Sequence, residues 1–414
     1  MEVLKIATAG SVDDGKSTLI GRLLYDTLSL TEDKIEAIEK SSRRNGLDYL
    51  DFSMATDGLV AEREQGITID VAHIYFSTQR KSYIIADTPG HVEYTRNMVT
   101  GASTSQASII LIDARKGVIE QTYRHFFINN LLRIKEVVVA VNKMDLVNYS
   151  EAIFNGIMND FKELQQKSNF KEQKLTFIPV SALWGENITK KSPEMPWYHG
   201  VPVLEHLENI KAEDFRENNH ARFSVQTVIR PKTEEHHDFR GYAGKITGSS
   251  LKIGDEVTVL PWLTTSTIKD IYFFDKKYSE APAGSSVTIT LTNDVNVARG
   301  DMLVKKNEEP VASKDLLATV CWMDAKALVP GSKYLLQHNT NGILVKIDKI
   351  ETQVSANYEG SNKTTSLKLN EIGEVSIRLS KTVYVDKYEN NKDNGRFILI
   401  DPQTNTTAGV GFIQ

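Results

Sequence analysis

A chain of 414 residues is too long for one ordinary hydrophobic core and sets an expectation of two to four domains. Charged residues at 25% and apolar residues at 40% are the balance of a globular protein and exclude a disordered tract or a membrane bundle. The net charge of −5 lays no basic footprint for nucleic acid, and a single cysteine, Cys321, excludes an internal disulfide and a cysteine-based zinc site. The opening Met1-Glu2-Val3-Leu4-Lys5 carries no signal-peptide core, and no apolar run reaches the roughly eighteen residues of a membrane span, so a cytoplasmic location is expected.

In chain order, the first half alternates short apolar runs with helical patterns. The runs 4–8, 83–86, 108–112, 137–141 and 176–180 are apolar on both faces, as buried parallel strands require. Between them, 31–44, 122–132 and 150–164 read as helices. The first has Glu32 and Asp33 in its opening turn and Arg43 and Arg44 in its last, complementing the helix dipole. The third carries Phe154, Ile157, Phe161 and Leu164 at helical spacing. From Arg222 onward the texture changes to alternating segments such as 223–229, punctuated by Gly254-Asp255, Pro282-Ala-Gly284 and Gly300-Asp301, and a second set includes 343–350, 374–379 and 397–400. Turn-punctuated strands without long helices mean all-β. The expected architecture is therefore a P-loop α/β domain over 1–217 followed by two small β-barrels, over 218–309 and 310–414.

The chemistry begins at Gly10-Ser11-Val12-Asp13-Asp14-Gly15-Lys16-Ser17-Thr18, which satisfies G-x-x-x-x-G-K-[ST] between a strand and a helix. Its glycines let backbone N–H groups converge on phosphates at a helix N-terminus, Lys16 supplies a point charge at the β and γ phosphates, and Ser17 offers a hydroxyl to Mg²⁺. Asp87-Thr88-Pro89-Gly90-His91 follows the run 83–86. A carboxylate at a strand's end can hold Mg²⁺ through water, Gly90 lets a backbone N–H approach the γ-phosphate, and His91 stands where it can orient an attacking water. Asn142-Lys143-Met144-Asp145 ends the run 137–141. Its carboxylate can accept from guanine N1–H and the 2-amino group where adenine would present an acceptor, which selects GTP over ATP, while Asn142 braces the loop and the Lys143 stem covers the base. Ser181-Ala182-Leu183 adds a backbone N–H for guanine O6. Each of the last three strings is a common turn by itself; their order on successive strand ends behind a P-loop is what carries the reading.

These residues resemble the GTPases related to elongation factor Tu. In that family the stretch Glu62-Arg63-Glu64-Gln65-Gly66-Ile67-Thr68-Ile69-Asp70 looks like the first switch, which implies that Thr68 completes Mg²⁺ coordination. A narrower resemblance, to the large GTP-hydrolysing subunits of bacterial sulfate adenylyltransferases, rests on the stretch 10–26, on 61–70, on Tyr94-Thr95-Arg96-Asn97-Met98 with Thr100-Gly101-Ala102-Ser103, and on Asp113-Ala114-Arg115-Lys116-Gly117. In the first barrel, Val228-Ile229-Arg230-Pro231 and 238–244 belong to it as well. Factors of the Tu type usually have histidine where this chain has Ser11 and Asp14. Val92-Glu93 and an enlarged loop over 233–237 depart from the subunit's pattern without touching the nucleotide strings. The resemblance implies that GTP hydrolysis on this chain is coupled to formation of adenosine 5′-phosphosulfate by a smaller catalytic subunit, in a heterodimer or larger assembly. It also implies that no sulfate-binding residue and no fused adenylylsulfate kinase domain are present here. The rival readings are a translation factor delivering aminoacyl-tRNA and a stand-alone regulatory GTPase, since fold alone does not fix function.

Three aromatic or histidine features stay outside that chemistry. His236-His237 reads as a solvated loop rather than a metal site, Tyr272-Phe273-Phe274 as barrel core or domain interface, and Trp197-Tyr198 as packing for the interdomain connector.

Overall fold

A computed structural model describes residues 2–44, 46–55, 71–88, 95–211, 220–231, 239–356, 358 and 360–414. The expected switch residues Thr68, Pro89, Gly90 and His91, the stretch 62–70, Val92-Glu93, the loop 233–237 with His236-His237, and the boundary near 217 lie outside the described residues. By chain contacts the molecule divides into Met1–Phe215 with Ser355–Gly360, and Arg216–Val354 with Ser361–Gln414.

In the first unit the apolar runs are strands: β1 (Glu2–Ala9), β2 (Ala72–Ser77), β3 (Lys81–Asp87), β4 (Ala107–Asp113), β5 (Glu136–Asn142) and β6 (Lys174–Pro179). Among the described residues they form one six-stranded sheet in the order β2-β3-β1-β4-β5-β6. β1, β3, β4, β5 and β6 are parallel, and β2 joins the edge antiparallel to β3. Every residue of β4 and β5 is buried, which is why these strands read as continuous apolar runs. β2 alternates half-buried and exposed positions with a single buried one, Phe76, a weak signal that the sequence reading passes over.

The helices are α1 (Lys16–Asp26), α2 (Glu32–Arg44), α3 (Thr95–Ala102), α4 (Glu120–Leu131), α5 (Glu151–Lys167) and α6 (Val203–Asn209). α5 starts at Ser150, whose hydroxyl accepts the Ile153 N–H, and buries Phe154, Ile157, Phe161 and Leu164 as its spacing predicts. α1 sets Leu19, Ile20 and Leu23 against Ile6, Ile85 and Leu111 of the sheet, so the helix that follows the phosphate loop is fixed by the main core. Phe126 of α4, Phe161 of α5 and Phe177 of β6 pack edge to face, at 5.0 and 5.7 Å between ring centroids. Trp197 and Tyr198 pack here too, rather than on a connector: the Trp197 indole N–H donates to Tyr149 O at 3.1 Å and its ring lies 5.5 Å from Phe154.

The second unit is all-β. Its first part comprises β7 (Arg222–Ile229), β8 (Gly241–Thr247), β9 (Leu251–Lys252), β10 (Glu256–Leu260), β11 (Thr264–Phe273), β12 (Lys276–Tyr278), β13 (Glu280–Ala281), β14 (Ser286–Leu291) and β15 (Met302–Lys305). The ladder β10-β15-β7-β8-β14-β11 is closed by pairing of β10 with β11. The next part comprises β16 (Val311–Trp322), β17 (Lys333–His338), β18 (Asn341–Val354), β19 (Ser361–Asn362), β20 (Ile372–Val385), β21 (Arg396–Ile400) and β22 (Thr407–Ile413), and β17 pairs with β18 to close β17-β21-β22-β16-β20-β18. Each therefore buries its own interior face without leaving a long open edge. Arg222 joins them: it is buried, pairs with both Asp386 oxygens at 2.9 and 3.0 Å, and donates to Glu308 O. Cys321 is buried in the second barrel, where burial pushes its thiol up to about 12 and leaves it unreactive. Phe273 and Phe274 are not core. They sit at the β11–β12 hairpin, and Phe274 is 89% exposed.

Candidate functional site

Parallel strands that end together bring their carboxyl-terminal loops to one edge of the sheet. Thr8 pairs with Asp87 across β1 and β3, and Asp113 pairs with Asn142 across β4 and β5, so four strand ends stand side by side. The loop after β1 carries Gly10 to Lys16. Gly15 adopts φ +96° as the cap of α1, and a Cβ there would meet Asn142 Nδ2 at 2.4 Å, so both backbone and space demand glycine. Lys16 is buried and donates to Gly10 O at 2.9 Å. Burial pulls its pKa down, opposed by Asp87, Asp14 and Asp13 around it. Ser17 and Thr18 are half-buried in the first turn of α1, and Val12 is half-buried in the loop.

Asp87 ends β3 almost fully buried, with Thr8 Oγ1 donating to its Oδ1 at 3.0 Å, while the Thr88 hydroxyl donates to Thr8 O. A serine hydroxyl and one carboxylate make an all-oxygen donor set, which suits Mg²⁺ held mainly by phosphates and water rather than a zinc cage.

The loops after β5 and β6, where guanine is expected, are tied together by hydrogen bonds and an ion pair. Asn142 is buried and uses both ends of its amide: Nδ2 donates to Asp14 O at 2.7 Å and Oδ1 accepts the Ala182 N–H at 2.9 Å. One side chain thus ties the phosphate loop to the loop after β6. Ser181 Oγ donates to Asp145 Oδ1 at 2.7 Å and fixes that carboxylate. Met144 is buried and its N–H donates to Val180 O at 3.2 Å. Lys143 takes a left-handed backbone, donates to Asp13 O, and reaches Asp113 Oδ2 at 3.1 Å. Leu183 lends its carbonyl to Arg22 of α1 at 3.3 Å.

All candidate residues within the described regions therefore meet at one edge. Two that sequence reading leaves off the site also meet there. Asp113 is buried at the end of β4 and takes Arg115 through its backbone N–H and two guanidinium contacts, at 2.9, 3.0 and 2.6 Å. Burial works against its charge, but the hydrogen bonds from Arg115 and Lys143 hold its carboxyl well below the usual range. Lys116 reaches Asp14 Oδ1 at 3.7 Å. Asp113 is signalled by standing on a strand end in register with Asn142, and both lie in the stretch 113–117.

The model of the elongation factor Tu GTP binding domain matches residues 1–236, and that of the GTP-eEF1A C-terminal domain-like family matches 315–414. The chain belongs to the elongation factor Tu-like GTPases. It therefore binds GTP through this domain. Among curated relatives, the bifunctional enzyme CysN/CysC of Mycobacterium tuberculosis is 46% identical over 413 residues, spanning 99% of this chain and 67% of the relative. Sulfate adenylyltransferase subunit 1 of Cellvibrio japonicus is 44% identical over 414 residues, covering 100% of this chain and 86% of its own. The subunit of that name from Francisella tularensis is 45% identical, at 100% and 87%. The chain thus falls with the subunit 1 branch of this GTPase family rather than with aminoacyl-tRNA carriers. Among the described residues no helix is long and apolar enough to cross a membrane.

Proposed function

We propose that this chain is the GTP-hydrolysing subunit of a sulfate adenylyltransferase, coupling GTP hydrolysis to formation of adenosine 5′-phosphosulfate and diphosphate from ATP and sulfate on a smaller partner subunit. The observation that carries the reading is the joining, on one sheet edge, of the complete guanine brace around Asn142, Asp145 and Ser181 with the phosphate loop around Lys16, in a chain alike over its full length to proteins called sulfate adenylyltransferase subunit 1. In this reading the GTPase domain covers 1–217 and the barrels 218–309 and 310–414.

In this reading the residues take the following roles. Asp145, its Oδ1 already fixed by Ser181, presents its remaining acceptor capacity to guanine N1–H and the 2-amino group. The N–H groups of 13–18 and the Lys16 ammonium hold the phosphates. Ser17, Thr68 and, through water, Asp87 would hold Mg²⁺, which would supply positive charge against the phosphates. His91 orients the attacking water, so it acts on the transition state more than on bound GTP. The smaller subunit carries the ATP and sulfate site, and both chains work in the cytoplasm.

The test is incorporation of radiolabelled sulfate with purified chains. Alone, this chain hydrolyses GTP slowly and forms no product; with the small subunit it gives synthesis that GTP stimulates. Lys16→Ala loses that stimulation, by about a hundredfold or more in GTP affinity, because a buried point charge at the phosphates is gone. Equal product from wild type and Lys16→Ala at the same GTP concentration would sink the coupling, and product from this chain alone would move the adenylyl-transfer site onto it.

A further inference from the structure

The loop that must receive a triphosphate carries a buried carboxylate. Asp14 is 3% exposed, and its Oδ2 accepts the Ser11 N–H at 2.7 Å. Its backbone is held on both sides as well: its N–H donates to Ser11 O at 3.2 Å and its carbonyl accepts from Asn142 Nδ2 at 2.7 Å. A fixed negative charge among N–H groups that bind an anion works against binding unless a cation answers it. Two lysines face it. Lys16 is close enough to feel Asp14 and is itself committed to the phosphates. Lys116 reaches Asp14 Oδ1 at 3.7 Å from the loop after β4.

That loop is built to hold Lys116 in place. The N–H groups of Lys116 and Gly117 both donate to Asp113 O, at 2.9 and 3.0 Å, and Gly117 turns the chain at φ +68°. The Asp113 carboxylate is in turn pinned by Arg115 and by Lys143. Without Lys116, the charged groups left acting on Asp14 are Lys16 and Asp113, and Lys16 becomes the cation drawn to it, at the expense of the phosphates.

We propose that Lys116 is a positioning residue for GTP: by neutralising Asp14 it removes a repelling charge from the phosphate loop and leaves Lys16 to the nucleotide. Lys116 touches no substrate in this scheme and acts only through Asp14. The proposal rests on GTP binding at this loop. Binding of fluorescent GTP and GDP analogues is measured for wild type, Lys116→Met, Lys116→Arg, Asp14→Asn and the double variant Asp14→Asn with Lys116→Met. Lys116→Met is expected to weaken GTP binding about tenfold, and GDP binding less because it carries less charge. Lys116→Arg retains affinity within about threefold, and Asp14→Asn alone tightens binding by roughly the same factor. The decisive result is the double variant. Charge balance predicts that it binds about as tightly as wild type although each substitution removes half of the pair. A purely structural role for Lys116 leaves the double variant as weak as Lys116→Met, and that outcome overturns the proposal, as does wild-type affinity in Lys116→Met. Failure of wild type to bind GTP would instead refute the GTPase reading itself.

Discussion

The two ends of the nucleotide site are built from different forces. At the end proposed for guanine, Asn142 ties Asp14 O to the Ala182 N–H through neutral hydrogen bonds of 2.7 and 2.9 Å, while Ser181 donates to the Asp145 carboxylate at 2.7 Å and Lys143 pairs with Asp113 at 3.1 Å. At the phosphate end, Lys16, Asp14, Asp87 and His125 are all buried within the same sheet edge and its flanking helices, so ionisable groups face one another at low dielectric. A frame whose central brace is an amide bonded at both ends to backbone groups keeps its shape whatever the charge around it, which suits discrimination between bases. A frame of opposed charges is sensitive to each member's protonation, which suits binding a highly charged ligand whose arrival changes the balance.

Substitutions at the guanine end should then act on identity of the base and leave phosphate contacts alone. Asp145→Asn carries the largest expected effect: the amide puts a donor against the guanine edge, and GTP affinity falls by about a hundredfold or more while xanthosine triphosphate gains. Competition binding with the two nucleotides measures it, and unchanged GTP affinity would remove the guanine from this loop. Ser181→Ala is gentler. It leaves the carboxylate in place but unfixed, and the loss of one hydrogen bond to a charged group costs GTP about tenfold in affinity with the base preference retained. A larger loss than for Asp145→Asn would mean that Ser181 and not Asp145 is the base-reading residue.

The same contrast explains what could be read from sequence. The guanine and phosphate strings are contiguous, each with its own chemistry, and each follows an apolar run, so their meeting at one edge follows from a parallel sheet. Asp113 and Lys116 escape that logic because their partners, Lys143 and Asp14, lie far away in the chain, and an acidic residue at a strand's end looks like any turn. Short elements were missed for related reasons. α3, with Gly101 and two threonines among its eight residues, has weak helix propensity, and β2 takes its place by pairing with β3 rather than through its own pattern. In the barrels the strands were legible from alternation, but the closing pairs, β10 with β11 and β17 with β18, are registers that only packing sets. Of Tyr272 to Phe274, expected as barrel core or domain interface, Phe273 and Phe274 are not core: aromatic content signals burial, whereas Phe274 occupies a left-handed turn position and is 89% exposed.

The smallest expected effect is on stability and comes from the phosphate end. His125 of α4 is 2% exposed, its Nδ1 has no hydrogen-bond partner, and burial together with the charges of Lys16 and Arg124 pushes its pKa down to about 3. The unfolded chain takes up a proton near the ordinary value of 6.5 and the folded chain refuses it, so the neutral imidazole favours the fold fully above that pH. The contribution is lost progressively as pH falls from 6.5 toward 3. At about pH 6 the loss amounts to about 0.8 kcal/mol, small enough to need a reference. That reference is His125→Gln, which cannot titrate. Denaturant unfolding at about pH 7.5 and 6 should show wild type losing about 0.8 kcal/mol more than the variant over that interval, whatever the absolute stability of each. Equal losses would mean that His125 titrates normally, and the picture of a charge-crowded phosphate end would fail at a residue buried as deeply as Asp87.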